Sequence, residues 1–400
     1  MMALAVLAAL AWAYLLLGHG RFWQGGPVLT PAHPAASPPV DVVIPARDEA
    51  GGIGDALRSL VAQDYAGPLR IIVVDDGSTD GTGAIARGLP GVLVLDGQPR
   101  PPGWSGKLWA VHQGVARTDA ALVLLADADI VHEPAHIRTL VAKAEAGGLD
   151  LVSEMVELRC QSLAERALVP AFVFFFQLLY PFARVNDPTS ATAAAAGGTM
   201  LLRRRALDRI GGIASIRGAL IDDVALAAAV KRGGRIWLGH SGTARSVRPY
   251  PGAADIWRMV ARTAYVQLRH SPVILAGTVA GLALVWLAPP ALALALLLGA
   301  ASAMTASRLP CHVTVTSRPA PGLSVEFIGL PFRILTLKAE SNCSPARVAL
   351  SNYGGRYYGQ AFELQAGQSR RIGPVPLYRR VLWFAASGVP YEINITRGAP

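Results

Sequence analysis

Two carboxylates, Asp127 and Asp129, stand two residues apart directly after the apolar run Ala121–Leu125. A turn at the end of a buried strand would place both side chains at the sheet edge where doubly wound folds bind ligands. Mg²⁺ and Mn²⁺ prefer a few carboxylate oxygens together with phosphate oxygens, so this pair can join a divalent cation to a diphosphate. A lone Asp-x-Asp pair is more often a solvated turn, so the interpretation depends on the groups around it.

Other carboxylates follow two further apolar runs. Asp76 comes after Ile71–Val74, at a position where it can accept hydrogen bonds from a nucleobase or a ribose. Asp48 and Glu49 follow the first apolar run in the sequence Pro45-Ala46-Arg47-Asp48-Glu49, where a carboxylate can meet a nucleoside. A helix cap is the alternative role for Asp48.

A lysine and a second pair of carboxylates complete the set. Lys107 stands in a Gly-containing loop before a predicted helix and is suited to pairing with a phosphate, although an ordinary surface lysine has the same pattern. Asp222 and Asp223 begin a predicted amphipathic helix, whose dipole stabilises negative charge there. One of these carboxylates can act as a general base, and capping of the helix by Asp222 is the structural alternative.

The elements that must position these groups alternate between strands and helices. Apolar strand-like runs begin at Val40 and recur along the first third of the chain, and helix-like stretches separate them. This alternation predicts an α/β domain with a parallel, doubly wound sheet. The strand-like runs after the first are Ile71–Val74, Val92–Leu95 and Ala121–Leu125, and the helix-like stretches are Ile53–Gln63 and Thr82–Arg87.

The composition indicates a membrane protein with an anionic partner. Of the 400 residues, 52% are hydrophobic and only 16% are charged, and the formal net charge is +10. A phosphate-bearing donor or an anionic bilayer explains this charge, whereas nucleic acid is excluded because zinc-finger spacing, an aromatic RNA-binding signature and a basic helix are lacking. The cysteines, Cys160, Cys311 and Cys343, show no paired spacing; the last two are either a disulfide or free thiols.

Composition shifts divide the chain into six parts. A basic flank at Arg21 and arginines before the second apolar block predict a cytoplasmic catalytic domain in an integral protein of the cell (inner) membrane. Leu163–Phe182 is either an interfacial helix or a buried core helix. The parts are a transmembrane anchor (1–20), a linker (21–39), a catalytic domain (40–250), a membrane-proximal amphipathic segment (251–271), a transmembrane helix or hairpin (272–304) and a β-rich tail (305–400).

In chain order, the motifs built on Pro45, Asp76, Lys107, Asp127-Ala128-Asp129 and Asp222-Asp223 resemble those of the family 2 glycosyltransferases. The resemblance covers roughly the first three-quarters of the chain. It is closest to the hopanoid-biosynthesis-associated branch, which is similar to ceramide glucosyltransferases. The resemblance implies the GT-A fold, which is the Rossmann-like fold of nucleotide-diphospho-sugar transferases.

The resemblance also implies roles for the donor site. Asp48, Glu49 and Asp76 would contact the nucleoside of a donor such as a UDP-sugar. Asp129 would hold Mg²⁺ or Mn²⁺ with the diphosphate, and Asp127 would lie near the donor sugar or the metal.

For the acceptor, the resemblance implies inverting transfer with Asp223 as the base and a membrane lipid as the substrate. Gly197 and Gly198 would border the acceptor pocket, where glycine permits close backbone approach, although a packing role is equally consistent. Arg258 and Arg262 lie one helical turn apart and can hold the leaving phosphate or simply flank the membrane.

Three functions remain after these observations. The first is non-processive, metal-dependent transfer of a sugar to a lipid. The second is a processive polysaccharide synthase, but the processive Gln-x-x-Arg-Trp motif is reduced here to Arg262 within Met259–Thr263. The third is a membrane-tethered scaffold of GT-A fold without activity.

Overall fold

The computed structural model describes residues 2–297 and strand segments between residues 311 and 397, with the backbone alone described for Arg262 and for those segments. The chain divides into two compact units, Met1–Ala288 and Pro289–Pro400.

The first unit is built on a nine-stranded sheet of order β1-β9-β7-β8-β5-β2-β3-β4, with β6 paired to β9. Buried apolar side chains cover its central strands, and β5 is buried along its whole length. The strands are β1 (Val28–Leu29), β2 (Val40–Ala46), β3 (Leu69–Asp75), β4 (Val92–Asp96), β5 (Leu122–Ala126), β6 (Ile130–His132), β7 (Leu151–Glu157), β8 (Thr199–Arg203) and β9 (Ile236–Ser246).

Helices connect these strands and cover the sheet. Within residues 2–297 they are α1 (Met2–Ala13), α2 (Ile53–Val61), α3 (Thr82–Arg87), α4 (Gly106–Val115), α5 (His136–Gly147), α6 (Leu163–Leu179), α7 (Phe182–Asn186), α8 (Arg204–Arg209), α9 (Asp222–Lys231), α10 (Ala253–Gln267) and α11 (Pro272–Leu282). A π-helical turn, Ala283–Leu287, continues α11, and the helical run as a whole spans Pro272–Leu297.

The sheet is mixed, which corrects the prediction of a purely parallel sheet. Strands β5, β2, β3 and β4 are parallel neighbours, as the alternation indicated. Strand β8 runs antiparallel to both β5 and β7, so its first residue, Thr199, pairs with the last residue of β5, Ala126. The segment that precedes β8 therefore reaches the same sheet edge as the ends of the parallel strands.

Apolar helices form a cluster beside the sheet. The Trp12 Nε1 of α1 donates a hydrogen bond to the carbonyl oxygen of Val285 at 2.8 Å. The ring of Trp286 packs edge-on against Trp12, with centroids 5.1 Å apart, and against Phe174 of α6 at 5.7 Å. These contacts join α1, α6 and the helical run that begins with α11.

The helix α6 has two apolar faces, of which one packs in the core as the buried alternative predicts, whereas its position at a membrane interface stays a prediction. Phe174 and Phe175 contact Trp286 in the apolar cluster. Val173 and Phe176 instead pack against the core that lies under α9. Leu163 and Leu179, near its two ends, are exposed.

In the described part of the chain, only the helix Pro272–Leu297 is both long and apolar enough to cross a bilayer. It has almost no buried surface, and its backbone stays helical through Pro289 and Pro290 instead of forming the hairpin that was one alternative. Met2–Gly18 is a shorter apolar helix. Residues 298–304 of the predicted span lie outside the described residues.

The second unit contains two sheets among its described strands. A four-stranded sheet has the order β14-β11-β10-β16, and a three-stranded sheet has the order β13-β12-β15. Both sheets lie within the predicted β-rich tail (305–400), whereas Cys343 lies outside the described residues. The strands are β10 (Cys311–Ser324), β11 (Pro331–Ala339), β12 (Ala346–Ser351), β13 (Tyr357–Leu364), β14 (Ser369–Pro376), β15 (Arg380–Ala385) and β16 (Tyr391–Arg397).

Candidate active site

The Asp127-Ala128-Asp129 turn lies at the carboxyl end of β5, between the parallel strands and the antiparallel β8. The backbone N–H of Asp127 donates to the carbonyl oxygen of Gly198 at 3.2 Å. This bond fixes the turn against the segment that leads into β8. Strand β5 is central in the sheet and buried along its length, and Asp127 directly after it is half-buried at the sheet edge.

Lys107 connects this turn to α9. Its Nζ lies 2.8 Å from Oδ1 of Asp127 and 3.3 Å from Oδ2 of Asp222. The hydroxyl of Ser105 accepts a hydrogen bond from the N–H of Leu108 and so caps α4, which places Lys107 in its first turn. Burial alone would lower the pKa of Lys107, but Asp127 and Asp222 raise it well above its ordinary value, so the side chain stays a cation.

Asp223 has the electrostatic character of a general base. Burial and the neighbouring Asp222 raise its pKa to about 6, and Lys107 offsets part of that rise. Its Oδ1 accepts the N–H of Val224 at 2.7 Å. Asp222 does not cap α9, because the residue at the cap position is Ile221 and no side chain bonds there.

The pH dependence of turnover follows from this pKa. A base must be ionised, so kcat is expected to fall tenfold per pH unit as the pH drops below about 6 and to level off above it. Between the ordinary carboxyl pKa and 6 the folded chain binds a proton that the unfolded chain has lost, so the free energy of unfolding decreases as the pH rises through this window. Turnover measured from pH 4.5 to 8 tests the first statement; a flat profile contradicts the role.

Asp129 is held by groups at the end of β9. Its Oδ2 accepts hydrogen bonds from the Ser246 hydroxyl at 2.9 Å and from Nε of Arg248 at 3.0 Å. The same guanidinium donates through Nη2 to Oε1 of Glu49 at 2.5 Å. Burial, the largest effect, raises the pKa of Glu49, and the hydrogen bond from Arg248 opposes it. Arg248 was not predicted as a site residue, since it lies 119 residues from Asp129 in a segment without a motif.

Asp48 joins two loops of the sheet edge. Its Oδ1 accepts the N–H of Thr79 at 2.8 Å, and its own N–H donates to the Ser78 hydroxyl at 3.0 Å. Its backbone is left-handed, with φ at 53°. Asp48 is not a helix cap, because α2 begins after Gly52.

Two more bonds tie the same loops together. The N–H of Glu49 donates to the Thr82 hydroxyl at 2.7 Å, and that of Ala50 donates to Oδ2 of Asp80 at 2.9 Å. The loops after β2 and β3 therefore form one hydrogen-bonded unit, which we call the paired loops (residues 47–52 and 76–82).

Asp76 lies at an open pocket beside the paired loops. The pocket has a volume of about 410 Å³, within the roughly 300–1,000 Å³ range of small-molecule sites. Arg47 lies 3.5 Å from Asp76, and Arg100 contributes a second cation to the lining. The remaining lining residues are Gly77, Gly97, Gln98, Pro99 and Gly106.

A second, narrow pocket brings together five of the residues singled out from the sequence. They are Pro45, Lys107, Asp127, Gly197 and Asp222. An ideal Cβ on Gly197 would lie 3.4 Å from Oδ2 of Asp223 and 3.6 Å from Nζ of Lys107, so Gly197 keeps open the space between these two side chains.

Gly197→Ala tests this opening. Its Cβ would make ordinary van der Waals contacts, so we expect normal folding. The methyl group would occupy the space between Asp223 and Lys107, and turnover should fall by about 10- to 100-fold because the reacting groups are displaced. Measurement of kcat and the melting temperature checks both parts. Gly88→Ala, at the end of α3 and outside this pocket, is the matched control because its added Cβ would also have neighbours at 3.4 and 3.6 Å, and equal activity of the two variants would contradict the assignment.

The remaining predicted residues lie elsewhere. Gly198 packs toward Val156, where a Cβ would meet both methyl groups at 3.2 Å, so the packing alternative describes it best. Arg258 is exposed and paired with Asp255 on α10. The Arg262 side chain lies outside the described part of the structure, so its phosphate role stays a prediction.

Asp127 and Asp129 can bind a divalent cation only if a further ligand, such as a diphosphate, completes its coordination. Among the described residues, no group of three or more His, Cys, Asp or Glu side chains is arranged to hold a metal. In the same part of the chain, Oδ2 of Asp127 and Oδ1 of Asp129 accept no hydrogen bond. Mg²⁺ in proteins is commonly bound by one or two carboxylates plus substrate phosphates, so these two oxygens and a diphosphate suffice.

Residues 41–211 match the family model described as Glycosyl transferase family 2. The matched range includes the paired loops, Lys107, the Asp127–Asp129 turn and Gly197. It ends before Asp223 and Arg248.

A segment of 90 residues is 39% identical to the 4,4'-diaponeurosporenoate glycosyltransferase of Staphylococcus aureus (strain MRSA252). It represents 22% of this chain and 23% of the relative, so the chain spans about a quarter of the length of the curated relatives it matches. The solved mannosyltransferase PcManGT from Pyrobaculum calidifontis, in complex with GDP-Man and Mn²⁺, is 22% identical with a TM-score of 0.50. The match covers 75% of this chain and 90% of that one, and at this identity it shows the GT-A-like fold alone.

Proposed function

We propose that this chain, which carries a family 2 glycosyltransferase domain over residues 41–211, moves a sugar from a nucleotide-diphosphate donor to a membrane lipid with inversion at the anomeric carbon. The observation that carries the proposal is the position of Lys107. It contacts Asp127 of the donor-side turn and Asp222 of the base-side helix, with Asp223 beside them.

The donor is assigned to the sheet edge. The pocket at Asp76 receives the nucleoside, and the paired loops that contain Asp48 and Glu49 form its wall. Asp127 and Asp129 would hold Mg²⁺ or Mn²⁺ together with the diphosphate. When bound, the cation neutralises charge on the leaving diphosphate. A UDP-sugar is the donor class that the family resemblance favours.

The acceptor is assigned to the side of Gly197 on which Asp223 lies. Asp223, with a pKa near 6, is ionised at neutral pH and takes the proton from the acceptor hydroxyl as its oxygen attacks. Lys107 remains a cation and holds Asp127 and Asp222 in place during this step. Gly197 leaves room for the two substrates to meet.

A lipid acceptor is supported by the apolar cluster. The exposed helix Pro272–Leu297 enters the bilayer, and α1 packs against it through Trp12 and Trp286. The helix α6 contacts this cluster with one face and the core under α9 with the other. It therefore connects the bilayer to the helix that carries the proposed general base, Asp223. The basic flanks at Arg21 and Arg269 favour a cytoplasmic position for the catalytic domain.

Release of nucleoside diphosphate from a panel of nucleotide sugars tests the proposal. Membranes containing the chain are supplied with Mn²⁺ or Mg²⁺ and with a hopanoid, a carotenoid carboxylic acid or total lipid extract. The hopanoid follows from the family resemblance, and the carboxylic acid from the name of the staphylococcal relative. We expect labelled sugar in the lipid phase with one donor and none after addition of EDTA. Metal-independent nucleotide binding without transfer would favour the inactive scaffold.

A further inference from the structure

Arg248 bonds one oxygen of the Asp129 carboxylate, which is the carboxylate that a metal ion is proposed to use. Its Nε lies 3.0 Å from Oδ2 of Asp129, and its Nη2 bonds Glu49. Nearby, Lys107 bonds Asp127. Each carboxylate of the Asp127–Asp129 turn therefore already has a cationic partner within the chain.

A divalent cation at Asp129 would meet the guanidinium at close range. Two like charges this close repel each other, even at the effective dielectric constant of a protein surface. A doubly charged ion increases that repulsion. Full occupancy of Asp129 by both cations is therefore unfavourable unless the anionic diphosphate is present.

Of the ion pair formed by Arg248 and Asp129, Arg248 is the side chain that is able to move. Its side chain is 42% exposed, whereas that of Asp129 is 11% exposed. Asp129 is also fixed by the Ser246 hydroxyl, and its carbonyl oxygen accepts the N–H of Val247 at 2.9 Å. The long arginine side chain can leave Asp129 while its backbone stays in place.

We infer that Arg248 is a displaceable counter-cation of the donor site, which neutralises Asp129 in the donor-free chain and competes there with a divalent cation. The inference rests on the proposed function, because it assumes that Asp129 binds a metal. Once displaced, the guanidinium remains next to Glu49, where oxygens of the donor diphosphate are its natural partners. The competition keeps the metal site weak until the donor arrives with its own negative charge.

Binding of Mn²⁺ to the detergent-solubilised full chain without nucleotide, followed by electron paramagnetic resonance, tests this inference. Arg248→Gln should bind Mn²⁺ at least about fivefold more tightly than the unsubstituted chain, because a fivefold change needs only about 1 kcal/mol of lost repulsion. Arg248→Lys, which keeps the charge without the two-pronged contact, should fall between them. Adding Asp129→Asn to Arg248→Gln should abolish the gain.

Arg245→Gln is the matched control, since Arg245 lies three residues before Arg248, near the end of β9, and pairs with Glu133 at 3.2 Å instead of with Asp129. It should leave Mn²⁺ affinity unchanged. Equal or weaker Mn²⁺ binding by Arg248→Gln and Arg248→Lys, with nucleoside diphosphate still bound, overturns the inference alone. Absence of Mn²⁺ binding in every protein, even with nucleoside diphosphate, overturns the metal site and the inference together.

Discussion

Asp223→Asn is expected to lower turnover by about 10²- to 10⁴-fold, the usual contribution of a positioned general base. Asparagine keeps the shape of the side chain and loses the ability to accept a proton. Binding of nucleoside diphosphate should not change, because the donor carboxylates lie across Lys107 from this residue. Single-turnover rates and equilibrium binding of nucleoside diphosphate, measured on the same membranes, separate the two effects.

The control for this substitution is Asp208→Asn, which removes an exposed carboxylate from α8. It should retain full turnover. If Asp223→Asn also retains turnover, the acceptor has no proton to give up, as with an ionised carboxylic acid, and Asp223 is not the base.

Lys107→Met is expected to reduce turnover by at least about 100-fold, since a small displacement of reacting groups has that effect. It should also lower the free energy of unfolding by about 1–3 kcal/mol, the range for hydrogen bonds to charged groups. Methionine keeps the length of the side chain but leaves Asp127, Asp222 and Asp223 facing each other without a cation. Kinetics and thermal unfolding at pH 5 and pH 7.5 measure both effects.

The pH dependence distinguishes this cause from a general loss of packing. Lys107 lowers the pKa of Asp223, so its removal should raise that pKa and shift the acidic limb of the rate profile to higher pH. The loss of stability should be smaller at pH 5, below the pKa of Asp223, because a protonated Asp223 no longer repels its neighbours. Lys143→Met on α5, whose Nζ lies 4.6 Å from the Trp237 ring, is the control. Equal effects at both pH values would contradict the electrostatic explanation.

The residue types at the sheet edge were predictable because each follows an apolar strand. The runs before Asp76 and Asp127 become β3 and β5, and parallel pairing brings their ends together. Lys107 was assigned to a phosphate from its loop, but its contacts with Asp127 and Asp222 depend on side-chain positions that spacing does not determine.

Other features depend on contacts between distant segments. Strand β8 was not predicted, and its antiparallel direction has no signal in the sequence because a short buried strand has the same apolar pattern in either direction. Arg248 was missed because its partners lie 119 and 199 residues away. The two apolar faces of α6 were ambiguous because apolar periodicity does not distinguish a protein core from a bilayer.

The paired loops have a thermodynamic consequence for nucleotide recognition. Because Asp48, Glu49 and Ala50 are already bonded to residues 78–82, the part of the proposed nucleoside pocket that the paired loops line is ordered before a ligand enters. Association then loses less conformational entropy than it would with two separate flexible loops. We therefore expect nucleotide affinity to depend on bonds such as that from Ala50 to Asp80, although neither residue lines the pocket, because loss of one would leave the free loops less ordered.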